Sequence, residues 1–250
     1  MSSHDSLATR HHEVRPGQVI EEAFALYGRY ARVLLPTALV IIGVFALLQA
    51  LILTTGSLAL AALGSALQIV ASTLYAGFVV KLVDDVRDGR RDFAVSDLFA
   101  SAAGVIGALV INGFLLGIAV AIGLIALIIP GLFLITIWAV TAPVIVVERA
   151  GAIDAFGRSR ELVNGHKLKV FLTLLLGLLV SIGIGIVFGA IGEAFGDGGQ
   201  VVLRIIGSVI GAPVLSLIVA ILYFELRGEP VRADGPDTGS AEAPPPAAAV

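Results

Sequence analysis

The fold class is decided by the stretch VFLTLLLGLLVSIGIGIVFGAIG, residues 170–192. It contains no charged side chain, and about 20 apolar residues are enough for a helix to cross the hydrocarbon core of a membrane. The stretch is continuously apolar and lacks the strict alternation of a barrel strand, so a spanning helix is favoured over a transmembrane β-strand. We therefore interpret it as one span of an integral membrane protein.

Five further segments share these properties, and together they predict six spans, near residues 33–54, 58–80, 102–128, 131–147, 170–192 and 201–224. The composition agrees, because 58% of the residues are hydrophobic and the mean hydropathy is +1.00, too apolar for a soluble domain of 250 residues. We expect an all-α, six-helix membrane domain over residues 18–228. A polar tail precedes it at 1–17, and a Pro/Ala-rich tail at 229–250 is expected to be disordered.

The basic residues predict the orientation of these spans. Fifteen of the sixteen lie before the first span, in the second and fourth gaps between spans, or after the last span. They are Arg10, Arg15, Arg29, Arg32, Lys81, Arg87, Arg90, Arg91, Arg149, Arg158, Arg160, Lys167, Lys169, Arg227 and Arg232. Because positively charged loops stay in the cytoplasm, both termini are expected on the cytoplasmic side of the membrane.

Three segments that precede the first, third and fifth spans resemble one another. Each has an acidic residue two positions before a phenylalanine, at Glu22 and Phe24, Asp97 and Phe99, and Asp154 and Phe156. In the first segment Ile20, Phe24, Tyr27 and Ala31 share one helical face, and in the third Ile153, Phe156, Leu162 and Val163 form a rougher stripe that ends at Asn164-Gly165. We expect three units, each an amphipathic interfacial helix followed by a two-span hairpin. The alternative is that any polytopic protein places amphipathic helices before its spans.

The remaining gaps are short and contain turn residues, at 54–57, 130–131 and 196–199. Small residues recur at four-residue spacing on three spans, as Gly113 and Gly117, Ser181, Gly185 and Gly189, and Gly207 and Gly211. This spacing favours close helix packing within the chain over a ligand groove or a homodimer face. Two prolines, Pro143 and Pro213, lie inside predicted spans and are each expected to remove one helical hydrogen bond.

Ionisable residues inside hydrocarbon are costly and so indicate functional sites. Arg204 is the one basic residue inside the six apolar segments, roughly one turn after the start of the sixth. Glu193 and Asp197 lie close to it in sequence, so an ion pair with either is one interpretation. The favoured alternative is that Arg204 extends to the headgroups of the nearer leaflet. Other polar residues within spans, such as Asn112 and Thr141, are expected to bond between helices.

Catalytic patterns are absent from the sequence. There is no cysteine, and neither a metalloprotease, a nucleophile-elbow nor a phosphate-binding motif occurs. His4, His11 and His12 lie in the polar tail, and Asp84, Asp85, Asp88 and Asp92 are interspersed with basic residues as in a solvated loop. We therefore expect no enzymatic activity, no cofactor, no bound metal and no nucleic-acid partner.

One stretch has a familiar order: Pro130-Gly131, a span that ends in Ala142-Pro143 and Glu148, and a helix with Ala155, Arg158, Ser159, Leu162 and Gly165. It resembles the membrane domain of some glycerophosphoryl diester phosphodiesterases and of many stand-alone bacterial membrane proteins. The segments at 23–27 and 222–227 are similar to that family as well. In those phosphodiesterases a separate metal-binding barrel performs hydrolysis, and this chain has no room for one outside its spans. The resemblance therefore implies no activity here.

Glu148 at the end of the fourth span is expected to pair with Arg158 or Arg160 and hold the following helix against the bundle. The leading functional hypothesis is a non-enzymatic anchor, scaffold or lipid-interacting protein. Its expected partners are membrane lipids, and a protein partner or a second copy of the chain is a further candidate. The competing hypothesis is a small-molecule transporter or channel, which a cavity lined by Asn112, Thr141, Ser181 and Arg204 would favour.

Overall fold

A computed structural model describes residues 15–88 and 104–229, and this part of the chain is almost entirely helical, without a strand. Six helical segments are long and apolar enough to cross a membrane: Pro16–Leu53, Leu63–Arg87, Ile106–Gly123, Ile128–Glu148, Lys167–Glu193 and Gly198–Leu226. The all-α fold class and the six spans predicted from the sequence are confirmed.

The individual helices are α1 Pro16–Ala38, α2 Val44–Leu53, α3 Leu58–Arg87, α4 Ile106–Ala126, α5 Ile128–Ile137, α6 Thr141–Glu148, α7 Asp154–Val163, α8 Lys167–Glu193 and α9 Gly196–Leu226. A π-helical turn, Leu39–Gly43, joins α1 to α2 three residues after Pro36. Residues 16–53 therefore form one helical segment about 57 Å long at 1.5 Å per residue. The first amphipathic segment is thus continuous with its span, and the corresponding segment before the third span lies outside the described residues.

The inward face of α1 differs from the predicted one. Val19, Ala23 and Leu26 are buried, whereas Phe24 is 44% exposed. α1 packs against α9, and these buried residues belong to the apolar core. Tyr27 fixes the crossing, because its hydroxyl donates to the backbone carbonyl of Ile210, 2.9 Å away.

The turn at 54–57 is confirmed, but the other two predicted turns are displaced. The third and fourth spans are separated by a single extended residue, Leu127. Pro130 lies in the first turn of α5, where its missing N–H costs nothing. The last two spans are joined two residues earlier than predicted, at 194–195, and Gly196 begins α9 with a φ of +71°.

Glycines allow close helix packing at some of the predicted positions and not at others. A Cβ atom at Gly113 would lie 2.5 Å from the hydroxyl oxygen of Thr73, and one at Gly207 would lie 3.0 Å from Phe188 Cβ. A Cβ atom at Gly185, in contrast, would meet nothing within 4 Å. Close packing within the chain is confirmed at Gly113 and Gly207, while Gly185 faces open space.

The fourth span is broken at residues 138–140, between α5 and α6, and Pro143 falls in the first turn of α6. Pro143 therefore follows a break instead of kinking a continuous helix. Ser159 of α7 bridges the break: its hydroxyl donates to the Ile137 carbonyl at 3.0 Å and accepts the Val140 N–H at 3.3 Å. Ser159 is fully buried, so these bonds satisfy backbone groups that neither lipid nor water reaches.

Replacing Ser159 with alanine is expected to destabilise the bundle by about 1–3 kcal/mol, because a buried N–H and a buried carbonyl lose their partner. Thermal unfolding of the purified protein in detergent measures this as a lower Tm. Ser72→Ala is the matched control, since the exposed Ser72 hydroxyl bonds carbonyls of its own helix. Equal Tm values for S159A and the unsubstituted protein would contradict the bridging role.

Candidate functional site

Side chains from four helices meet at one end of the bundle, defined here as the basic end by Arg87, Glu148, Arg158, Tyr223 and Arg227. Glu148, the last residue of α6, accepts hydrogen bonds from Arg158 Nε on α7 and from the Tyr223 hydroxyl on α9, each at 3.0 Å. Arg227 donates to that hydroxyl at 3.0 Å. Glu148 thus connects three helices through its two carboxylate oxygens.

The sequence predicts Arg158 or Arg160 as the partner of Glu148, and the structure shows which of them makes the contact. Arg158 makes the contact, and it also lies 3.3 Å from Glu161. Arg160 is exposed and shows no such pair within the described residues. The hydrogen bond to the Glu148 carboxylate raises the pKa of Arg158 above its ordinary value, so the guanidinium stays charged.

Further contacts fix α7 against the bundle. The Asn112 amide on α4 donates to the Ala152 carbonyl at 2.8 Å, and the rings of Trp138 and Phe156 meet edge to face at 4.8 Å. The buried stripe of α7 consists of Ala155, Ser159 and Val163.

The predicted stripe of this helix is partly wrong, since Ile153 is 74% exposed. The small residues Ala155 and Ser159 lie against the bundle because they let the helix approach the broken fourth span. The predicted end of the helix at Asn164-Gly165 is confirmed, and Gly165 adopts a φ of +89°.

Charged residues at the end of α3 pair among themselves. Lys81 lies 2.9 Å from Asp85 and 3.1 Å from Asp84, and the Arg87 guanidinium pairs with Glu229. Within residues 15–88 and 104–229 no group of three His, Cys, Asp or Glu side chains is arranged to hold a metal ion. The three N-terminal histidines and Asp92 lie outside the described residues.

A cleft opens at the opposite end of the bundle, between the first, second, fifth and sixth spans. It comprises two adjoining cavities of about 340 and 540 Å³, which share Arg204 and Ser208 in their linings. We call it the Arg204 cleft and define it by its polar residues Gln49, Gln68, Ser72, Ser181, Arg204 and Ser208. Ser181 and Arg204, two of the four residues proposed from the sequence to line a cavity, thus come together.

The other two residues of that proposed set lie elsewhere. Asn112 bonds Ala152, and the Thr141 hydroxyl donates to the Trp138 carbonyl of its own chain segment at 3.2 Å. Between the cleft and the basic end, the described helices α3 and α9 carry buried apolar side chains, among them Phe78, Leu217, Ile218, Ile221 and Phe224. In the described part of the chain, the polar cleft therefore ends on an apolar core.

Arg204 and Glu193 do not form the ion pair that was one of the two interpretations of the sequence. Both side chains are exposed, and no acidic partner of Arg204 is found in the part of the chain that the structure describes. The side chain of Asp197 lies outside that part. Arg204 lines both adjoining cavities.

A further cavity, of about 330 Å³, lies apart from the Arg204 cleft, between α4, α5, α8 and α9, and is almost wholly apolar. Its lining includes Leu116, Leu132, Trp138, Phe171, Leu175 and Leu215. It has the chemistry of an acyl-chain site and gave no signal in the sequence, where its members are ordinary apolar span residues.

No family model matches this sequence, and no curated protein or solved structure is significantly similar to it. The resemblance to the phosphodiesterase membrane domain therefore remains a prediction from the quoted motifs.

We expect Glu148→Ala to lower stability by about 1–2 kcal/mol, because it removes a carboxylate that two neighbouring helices bond. The Tm in detergent measures the loss, and Arg158→Ala should show a smaller decrease since Arg158 is 43% exposed. Arg160→Ala removes a similar charge from the same helix without a described contact and should leave the Tm unchanged. If E148A and R160A unfold at the same temperature, Glu148 does not clamp α7.

Proposed function

We propose that this chain is a non-enzymatic membrane protein that binds membrane lipids in its transmembrane region and presents its basic end as an anchor or scaffold surface. The observation that carries this proposal is the Arg204 cleft, which places Arg204 and several amide and hydroxyl side chains in a mainly apolar lining, opens between four spans and ends on a buried apolar core. A cleft that opens between spans and ends on the core suits a molecule that stays within the bilayer.

The apolar surface supports the same proposal. Large apolar side chains are exposed along α8, among them Leu179, Ile182 and Ile186, at 55%, 47% and 65%. The apolar cavity of about 330 Å³ adds a second place where an acyl chain fits. Lipid chains can therefore cover the protein beside both cavities.

The proposed orientation places the basic end in the cytoplasm of a bacterium, following the distribution of Lys and Arg. With that orientation the Arg204 cleft belongs to the outer leaflet of the inner membrane. If the resemblance to the phosphodiesterase membrane domain holds, it is consistent with such a role, since that domain accompanies but does not perform lipid-related hydrolysis.

A small-molecule transporter is the second candidate. The clustering of Ser181 and Arg204 in one cleft favours it, as does Pro213, which lies within α9 and leaves the Val209 carbonyl without its helical donor. Transport would require the core around Leu217 and Phe224 to open. Solute uptake by liposomes that contain the purified protein tests this candidate directly.

Native mass spectrometry of the protein, released from its own membrane with minimal delipidation, tests lipid binding. We expect the intact chain to retain one or more phospholipids. Recovery of a bare protein under conditions that keep lipid on a known lipid-binding membrane protein would contradict the proposal. Solute uptake in the liposome assay would then favour the transporter.

A further inference from the structure

We propose that the Arg204 cleft is a headgroup site for an anionic phospholipid whose headgroup bears hydroxyls, with the Arg204 guanidinium on the phosphate. The inference rests on the proposed lipid binding and deepens it by assigning the site and the lipid class. It is drawn from the charge, the hydrogen-bonding capacity and the shape of the cleft.

The charge of the cleft selects an anion. Among the described residues, Arg204 is the one cation in the lining of either cavity, and no described carboxylate lines them. A guanidinium near hydrocarbon is costly unless a partner or headgroups solvate it. Its planar set of donors matches the oxygens of a phosphate, with two parallel hydrogen bonds.

The depth of Arg204 places such a phosphate near the membrane surface. Arg204 follows the first residue of α9 by eight positions, about 12 Å along the helix. The headgroup layer on each side of the hydrocarbon is roughly 5–8 Å thick. With the start of α9 taken at the outer surface of that layer, the Cα atom of Arg204 lies only a few ångströms below the layer. A lipid phosphate can meet the side chain without leaving its leaflet.

The remaining polar groups of the cleft include several acceptors beside the N–H donors of the two glutamine amides. The hydroxyls of Ser72, Ser181 and Ser208 each donate to carbonyls of their own helices. Each hydroxyl hydrogen is therefore already used, and the oxygen can still accept a hydrogen bond. Gln68 adds a buried carbonyl oxygen that has no hydrogen-bond partner in the described structure. These acceptors can take hydrogen bonds from a ligand.

A hydroxylated headgroup meets both requirements. Its phosphate pairs with Arg204, and its hydroxyls donate to the serine oxygens and to the Gln68 amide oxygen. An ammonium headgroup also donates, but its positive charge is repelled by Arg204 at short range. The cleft therefore favours a glycerol-type anionic headgroup over an ethanolamine or choline headgroup.

The shape of the cleft depends on glycines that leave room for this group. Gly185 lies in the lining, and a Cβ atom added there meets nothing within 4 Å. The exposed side chains of Ile182 and Ile186 lie beside Ser181 and Gly185 on α8, so acyl chains can continue along the same helix. A larger side chain at Gly185 would fill the cleft without disturbing the helix packing.

The experiment compares lipid binding to the full-length chain in detergent by native mass spectrometry. The probes are phosphatidylglycerol, phosphatidylethanolamine and phosphatidylcholine, and the variants are Arg204→Gln, Arg204→Lys, Gly185→Leu and Gly183→Leu. We expect phosphatidylglycerol to bind the unsubstituted protein at least about tenfold more tightly than the other two lipids. Arg204→Gln and Gly185→Leu should each remove that preference.

Two variants serve as controls. Gly183→Leu adds the same side chain to α8 at a glycine that also meets nothing within 4 Å but does not line the cleft, so it should keep the preference. Arg204→Lys keeps the charge and still reaches the headgroups, but it lacks the bidentate geometry. A partial loss with lysine supports a phosphate site, whereas full retention would overturn the assignment of a guanidinium-specific contact.

Competition distinguishes a lipid headgroup from a soluble anion. Inorganic phosphate and glycerol 3-phosphate at millimolar concentration should not displace the lipid, and displacement would overturn the lipid as the source of the phosphate. Unchanged phosphatidylglycerol preference in both R204Q and G185L would overturn this site while leaving lipid binding by the protein intact. Absence of all lipid binding by the unsubstituted chain would overturn the proposed function as well.

Discussion

The bundle depends on one constraint: a backbone N–H or carbonyl in the membrane must find its partner inside the protein. Uninterrupted helix meets it along most of the described spans, whereas the fourth span is broken at residues 138–140. Ser159 supplies the missing acceptor and donor from α7, a helix outside the spans. The position of α7 is therefore part of the solution to the membrane constraint, and the contacts of Glu148 and Asn112 hold it there.

The two ends of the bundle differ in how completely they are packed. At the basic end, ion pairs, ring contacts and buried small residues join α3, α6, α7 and α9. At the opposite end, glycines and serines leave a polar cleft beside an arginine that has no described ion pair. Rigid packing at one end and an open, charged cleft at the other suit a protein that is fixed on one side and binds a bilayer component on the other.

The sequence predicted the spans and several contacts, because hydrophobic length and charge placement are local properties. It identified the pairing of Glu148 with the helix that follows it, and it identified Arg204 as the exceptional charge. It did not predict that residues 16–53 form one continuous helical segment. The sequence of an amphipathic segment followed by an apolar one does not indicate whether a turn separates them. It also misplaced two turns, because Pro130 and Gly198 suit the first turn of a helix as well as a loop.

The inward faces were harder to predict for a related reason. Large apolar residues such as Phe24 and Ile153 mark the core of a soluble protein, but in a membrane they can equally face lipid, and small residues then form the close contacts. The role of Ser159 and the grouping of Gln49, Gln68 and Ser72 with Arg204 depend on tertiary contacts between distant segments. No spacing rule within one helix reports such contacts.

The account requires the two ends of the bundle to lie on opposite sides of the membrane, with the Arg204 cleft facing outward. Single-cysteine labelling tests this directly, because the chain contains no natural cysteine. The substitution Gly198→Cys places a thiol beside the cleft, and Asn164→Cys places one at the basic end. Both positions are exposed. With a membrane-impermeant maleimide on intact spheroplasts, we expect labelling at position 198 and labelling at position 164 only after lysis. The reverse pattern, or labelling of both positions before lysis, would contradict the account.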